Sequence, residues 1–146
     1  YLCIVHGRPK PPEGLIENYL RRDEKRKQVT LHRPRVPGAK TARTRYRTLT
    51  SHGRLSLVEC ELLTGRTHQI RAHFAWAGHP LLGDPKYGNE AVNRTLKQTY
   101  GIGRQLLHAW QIRQKDAASG ILPTGGITCP LPEDFQKLLS TAGIQP

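Results

Sequence analysis

The chain has no methionine, not even at its start, and opens directly on an apolar, strand-like segment. That start is expected to be a boundary left by processing or truncation rather than a native one. Only three cysteines are present, Cys3, Cys60 and Cys129; they lie far apart, and none falls in a C-x-x-C pair. An odd number without metal-ligand spacing indicates neither a zinc site nor a disulfide framework. Reduced, buried, structural thiols are the expectation, and a reducing cytoplasmic compartment fits them. No apolar run approaches the roughly 20 residues that a membrane-spanning helix needs, and the start carries no signal-peptide pattern. Acidic residues are scarce too, 11 against 23 Lys and Arg.

What is present is positive charge, unevenly placed. The formal net charge is +12. Between Arg21 and Arg47 stand eleven Lys or Arg and only two acids, Asp23 and Glu24, so this segment alone carries +9. A solvated charged face is the ordinary meaning of a short basic run. So lopsided a balance favours a polyanion, because clustered Lys and Arg gain free energy by releasing phosphate counterions. Pro34, Pro37 and Gly38 break the segment too often for a basic amphipathic membrane helix.

The hydrophobic fraction, 36%, is enough to bury a modest core in 146 residues. Short apolar, alternating stretches predict strands over Tyr1–His6, Leu15–Leu20, Val29–His32, Thr41–Thr50 and Leu55–Leu63, with a turn at residues 51–54. The 41–50 strand should carry one strongly basic face, since successive side chains point to opposite sides. From Thr67 to Ala77 the period becomes helical, with Ile70, Phe74 and Ala77 on one stripe and Gly78 as its stop. A loop over 79–88, a polar helix over Asn89–Tyr100, and strands over Leu106–Arg113 and Ile121–Cys129 around a turn at Asp116–Gly120 should follow. Pro132-Glu133-Asp134 then opens a last helix, its early acids favoured by the helix dipole. The expected fold is α+β, one domain over 1–146, with an antiparallel-rich mixed sheet and a few flanking helices.

One stretch carries more chemistry than the rest, Leu63-Thr64-Gly65-Arg66-Thr67-His68-Gln69-Ile70-Arg71-Ala72-His73. Gly65-Arg66-Thr67 reads as a strand-to-helix turn, with Thr67 able to cap the helix. Arg71 lies four residues on, along the same face. It is either an ordinary surface arginine or a fork that grips a carboxylate or phosphate through two parallel hydrogen bonds. His68 and His73 are five apart, so they do not form a metal pair on one helix face. No metal is expected.

Together with Gly78-His79-Pro80-Leu81-Leu82-Gly83-Asp84 and Tyr87-Gly88, this stretch resembles the signature of the RluA-type RNA pseudouridine synthases, which isomerise uridine to its C-glycoside. Leu107-His108-Ala109 matches a further block, where core packing is the reading. The resemblance runs from Tyr1 to about Leu139 and implies part of that family's catalytic domain. It implies that Arg71 pairs with the nucleophilic aspartate and keeps it ionised and aimed. Tyr1-Leu2-Cys3-Ile4-Val5-His6-Gly7 resembles the strand whose first tyrosine stacks on the uracil, with cysteine in place of alanine, so Tyr1 takes that role. The target base is flipped from its stack to enter such a pocket. Arg66, His68, Arg43, Arg45, Arg47, Lys25, Arg26 and Lys27 are the candidate RNA contacts. Asp84 occupies the wrong motif for the nucleophile and is read as a turn former. No cofactor is implied.

The family's His-Arg-Leu-Asp segment, which bears the nucleophile, does not occur in these residues. An arginine cannot replace that carboxylate. Residues 1–146 alone are therefore expected to be inactive, as the downstream part of a synthase whose upstream half is joined covalently or non-covalently. The alternative is a non-catalytic RNA-binding module derived from the same family; an assembly protein gripping ribosomal RNA without reading sequence is a third. Ribosomal and transfer RNA are both open as partners.

Overall fold

Side chains that alternate in polarity extend the backbone, and those recurring every three or four residues coil it. The computed structural model describes residues 1–113, 123 and 125–143. Their strands are β1 (Leu2–His6), β2 (Glu13–Asp23), β3 (Gln28–His32), β4 (Lys40–His52), β5 (Leu55–Leu62), β6 (Leu107–His108), β7 (Gln111–Ile112) and β8 (Ile127–Thr128). The helices are α1 (Gln69–Trp76), α2 (Glu90–Tyr100) and α3 (Glu133–Thr141). The turn expected at 116–120 lies outside the described residues. Of the strand expected over 121–129, Ile127 and Thr128 form β8 among the described residues, and residues 121, 122 and 124 lie outside them. The strand expected over 106–113 is two short pieces, and β2 and β4 run several residues beyond their expected ends. Residues 51 and 52 belong to β4, which leaves Gly53-Arg54 as the turn.

Six strands form one sheet in the order β3-β2-β4-β5-β1-β6, and every pairing is antiparallel. β7 and β8 make a separate ribbon. With its three helices the molecule has the expected α+β architecture. α1 covers one face, burying Ile70 and Phe74 against Val5, Ile16, Tyr46 and Val58. The other face, at the β1–β5 end, packs Leu2, Ile4 and Leu57 against Leu96 of α2 and Phe135, Leu138 and Leu139 of α3. Each fully buried Leu or Phe of this kind is worth roughly 1.5–3 kcal/mol. A bulge in β4 leaves Leu49 without a cross-strand partner between Thr48↔Val58 and Thr50↔Leu57, which resets the alternation beyond it.

The seam between α1 and the sheet is not wholly apolar. Gln69 Nε2 donates to Thr44 Oγ1 (2.9 Å), Thr44 Oγ1 meets His73 Nδ1 (2.8 Å), and His73 Nε2 meets Asn18 Oδ1 (2.8 Å). All four residues are buried. One proton arrangement satisfies the row: Thr44 donates to Nδ1, and a neutral His73 donates from Nε2 to Asn18. Burial pushes the His73 pKa down to about 4. The unfolded chain then takes up the proton first, so stability is full above pH ~6.5 and drains as pH falls towards 4. The gap corresponds to about 3 kcal/mol. Urea unfolding at pH 7 and pH 4.5 should show this loss in the wild type and a much smaller loss in His73→Leu. Equal losses would remove His73 as its source.

Cys3 and Cys60 are buried cross-strand neighbours with Sγ atoms 3.8 Å apart, and burial drives the Cys3 thiol well above its ordinary value. These two match the expected inert thiols. Cys129 does not: it is exposed, because it follows β8 in the small ribbon, outside the main core clusters.

Candidate active site

The β5–α1 connection sets the site. Thr67 was expected to cap α1, yet the capping position falls on His68, which is left-handed (φ 53°) and makes no side-chain cap bond. Gln69 does the organising instead. Its Oε1 accepts from Thr64 Oγ1 (2.7 Å) and from the Arg66 amide (3.0 Å), while its Nε2 also donates to the Arg43 carbonyl (2.8 Å). A buried amide satisfied on both ends fixes where the helix starts, and so where Arg71 emerges two residues later.

Arg71 is buried and gripped. Its Nε and Nη2 donate to the two oxygens of Asp84, each at 2.8 Å. The Asp84 Oδ1 also accepts the amides of Lys86 (2.9 Å) and Tyr87 (3.1 Å). The carboxylate side chain is fully buried and its arginine partner only 10% exposed. Burial alone would raise the Asp84 pKa, but the hydrogen bonds from Arg71, Tyr87 and Lys86 outweigh it and hold the carboxyl below its usual value. The same bond raises Arg71, against its own desolvation. Asp84 is thus the turn former the sequence indicated, and the buried counter-ion of Arg71 as well. Arg71 Nη1 takes no partner among the described residues.

The loop presenting Asp84 is itself pinned. Gly83 N donates to Asn93 Oδ1 (2.8 Å) and Asn93 Nδ2 donates to the Asp84 carbonyl (2.8 Å). Gly83 has φ +80° and would place any Cβ 2.0 Å from the Arg104 carbonyl oxygen, so only glycine fits. Tyr87 closes the group. Its ring lies 5.3 Å from the Arg71 guanidinium, and its hydroxyl meets His68 Nδ1 (2.9 Å) and the Val29 amide (2.9 Å). The sequence reading did not single out Tyr87 by role, although it stands in the Tyr87-Gly88 block.

The other candidates fall in three places. Tyr1 lies opposite Cys60, whose amide donates to the Tyr1 carbonyl, and alternation puts it on the sheet face of Cys3 and Val5, the face α1 covers. Its side of the sheet is therefore that of Arg71, and it remains 38% exposed. Arg66 leans back on the sheet, Nε donating to the Thr41 carbonyl (2.9 Å), while His68 engages Tyr87. Lys25, Arg26 and Lys27 form the exposed tip of the β2–β3 hairpin.

Arg43, Arg45 and Arg47 lie on one face of β4, the basic face expected of it. They alternate with buried Ala42, Thr44 and Tyr46 and so face away from α1 and Arg71. Each also has a cross-strand carboxylate: Arg43 with Glu17, Arg45 with Glu61 (3.5 Å) and Arg47 with Glu59 (3.4 Å). Antiparallel pairing brings these acids in from β2 and β5.

Comparisons with known proteins identify the family. The family profile described as RNA pseudouridylate synthase matches residues 1–76. A Nitrosomonas europaea protein named ribosomal large subunit pseudouridine synthase D is 38% identical over 143 residues, covering 95% of this chain and 39% of its own length. A Chloroflexus aurantiacus uncharacterized RNA pseudouridine synthase is 40% identical over 139 residues, covering 95% of this chain and 40% of its own. Human RNA pseudouridylate synthase domain containing 4 superposes with a TM-score of 0.72 at 25% identity, over 99% of this chain and 62% of that one. The chain spans about two fifths of the length of these curated relatives. On the profile match over half its residues, the chain belongs to the RNA pseudouridylate synthase family.

Proposed function

We propose that the chain supplies the Arg71 side of the active site of an RNA pseudouridine synthase, and that the carboxylate nucleophile comes from a segment outside residues 1–146. The supporting observation is the Arg71–Asp84 pair. Two of the guanidinium's three nitrogens are fixed on a buried carboxylate, which aims the third, Nη1, without using it. A second carboxylate approaching Nη1 would be held ionised by the same cation. Asp84 is unsuited to be that nucleophile, because its oxygens already accept four hydrogen bonds and its side chain is fully buried.

The reaction needs little beyond these parts. The carboxylate attacks C1′ of the uridine, or otherwise assists departure of the base, and the N1–C1′ bond breaks. The base turns and C5 bonds to C1′, displacing the carboxylate if it had attacked; C5 loses its proton and N1 gains one, so the atoms balance with no cofactor. Its position on the Arg71 face of the sheet supports Tyr1 as the residue that stacks on the ring while it turns.

Large-subunit ribosomal RNA is the substrate to test first, since the Nitrosomonas relative is named for it; transfer RNA is the second. Chromatographic nucleoside analysis of unmodified ribosomal RNA treated with the complete gene product should show a new pseudouridine peak. RNA binding without that peak, in both RNAs, would favour the non-catalytic module.

A further inference from the structure

The tip of the β2–β3 hairpin is exposed and basic. There Asp23 Oδ1 accepts the amides of Lys25 and Arg26 (both 3.1 Å) and shapes the turn, while Oδ2 stands 4.0 Å from Arg26 Nε. Glu24 sits against Arg22 at 3.4 Å. Lys25, Lys27 and nearby Lys86 have no carboxylate partner among the described residues. Exposed lysine ammoniums on a short turn suit phosphate oxygens, which they meet as point charges without demanding one geometry.

The hairpin is also tied to the site at two points. Lys86 Nζ donates to the Lys27 carbonyl (2.6 Å), and the Val29 amide donates to the Tyr87 hydroxyl. Val29 is buried with Leu20, Ala42 and Ala72, so this end of the hairpin is part of the core. Tyr87 meets the site through three other groups: its amide on Asp84, its ring on Arg71 and its hydroxyl on His68. The arrangement that uses both the lone pair and the proton of this hydroxyl has it accept from Val29 and donate to Nδ1 of a neutral His68. Burial, with Arg71 and Lys86 nearby, lowers the His68 pKa in that sense.

We propose that the β2–β3 hairpin is an arm gripping RNA phosphates, and that Tyr87 is the positioning residue that holds this grip in register with Arg71. The inference rests on the isomerase reading above. Its physical basis is that backbone contacts fix where the RNA lies, and an error of about 1 Å between grip and reacting base costs on the order of 10²-fold in rate.

Two variants of the complete gene product separate grip from register. Lys25→Ala/Arg26→Ala/Lys27→Ala should weaken RNA binding about tenfold or more and reduce the log–log salt slope by about 2 to 3. Tyr87→Phe keeps the ring over Arg71 and removes both hydroxyl bonds. It should lower the single-turnover rate at saturating RNA about tenfold while changing affinity less than about threefold. It should also speed hydrogen exchange at the Val29 amide, a readout independent of turnover. In the triple-alanine background the rate loss from Tyr87→Phe should shrink, because the grip it aligns has gone.

An unchanged salt slope in the triple variant overturns the arm. An unchanged saturating rate in Tyr87→Phe, or a loss undiminished in the triple background, overturns the register. Wild-type protein that binds RNA through the hairpin yet never isomerises it would instead sink the isomerase reading, and the alignment role with it.

Discussion

Arg71→Ala in the complete gene product is expected to lower pseudouridine formation by on the order of 10³-fold or more, while RNA binding changes little. On the proposed function the guanidinium keeps the attacking carboxylate charged, and groups that stabilise charge at a reacting centre carry effects of this size. Arg71→Lys should fail nearly as badly, because an ammonium cannot span Asp84 and a second carboxylate at once. The substitution also strands Asp84, a fully buried carboxylate, without its partner. Removing one member of a buried pair typically costs about 3–5 kcal/mol. Thermal unfolding must therefore accompany the rate assay, together with the Arg71→Ala/Asp84→Ala double variant. That double variant should be more stable than Arg71→Ala alone and equally inactive. Turnover within about tenfold of wild type in any folded Arg71 variant would remove it from the catalytic set.

Asp84→Asn carries the second large effect. The amide preserves shape but leaves the buried guanidinium uncompensated, at a cost of about 3–5 kcal/mol. Because Arg71 then loses its fixed aim, the rate should fall on the order of 10²-fold even where the protein is folded. The pH signature distinguishes Asp84 from His73. The Asp84 pKa is lowered in the folded protein, so its contribution is present above the ordinary carboxylate value near 4 and is lost as pH falls through the folded value. His73 drains stability in the higher window, from ~6.5 to about 4. Wild-type stability should thus decline in two stages on acidification, and Asp84→Asn should lack the lower one. A variant with the wild-type profile below pH 4 would show that the carboxylate does not stabilise the fold.

Much of this was legible along the chain. Short apolar runs located β1, β3 and β5, Gly78 ended α1 with φ +86°, and the polar helix expected over Asn89–Tyr100 is α2. These signals are local. The extra length of β2 and β4 was not visible, because it comes from pairing with each other and with β5. The basic alternation of Arg43, Arg45 and Arg47 was correct as a one-sided stripe. Which side it faced, and that Glu17, Glu59 and Glu61 would oppose it, depended on cross-strand register. The Thr67 cap failed because His68 takes a left-handed backbone and Gln69, one residue further on, satisfies the turn. Asp84 read as a turn former because both its amide bonds are within three residues, whereas its bond to Arg71 spans thirteen. Tyr87 joins parts 58 and 19 residues away, Val29 and His68, which no short motif records.

The most direct test is release of tritium from C5-labelled uridine in ribosomal RNA, because C5 must lose its hydrogen when it bonds to the sugar. Three samples are compared: residues 1–146 alone, the upstream segment of the gene product alone, and the two together. The expected result is release only when both are present, abolished by Arg71→Ala. Release by residues 1–146 alone would contradict the account, because the carboxylate that attacks would then have to lie within this chain.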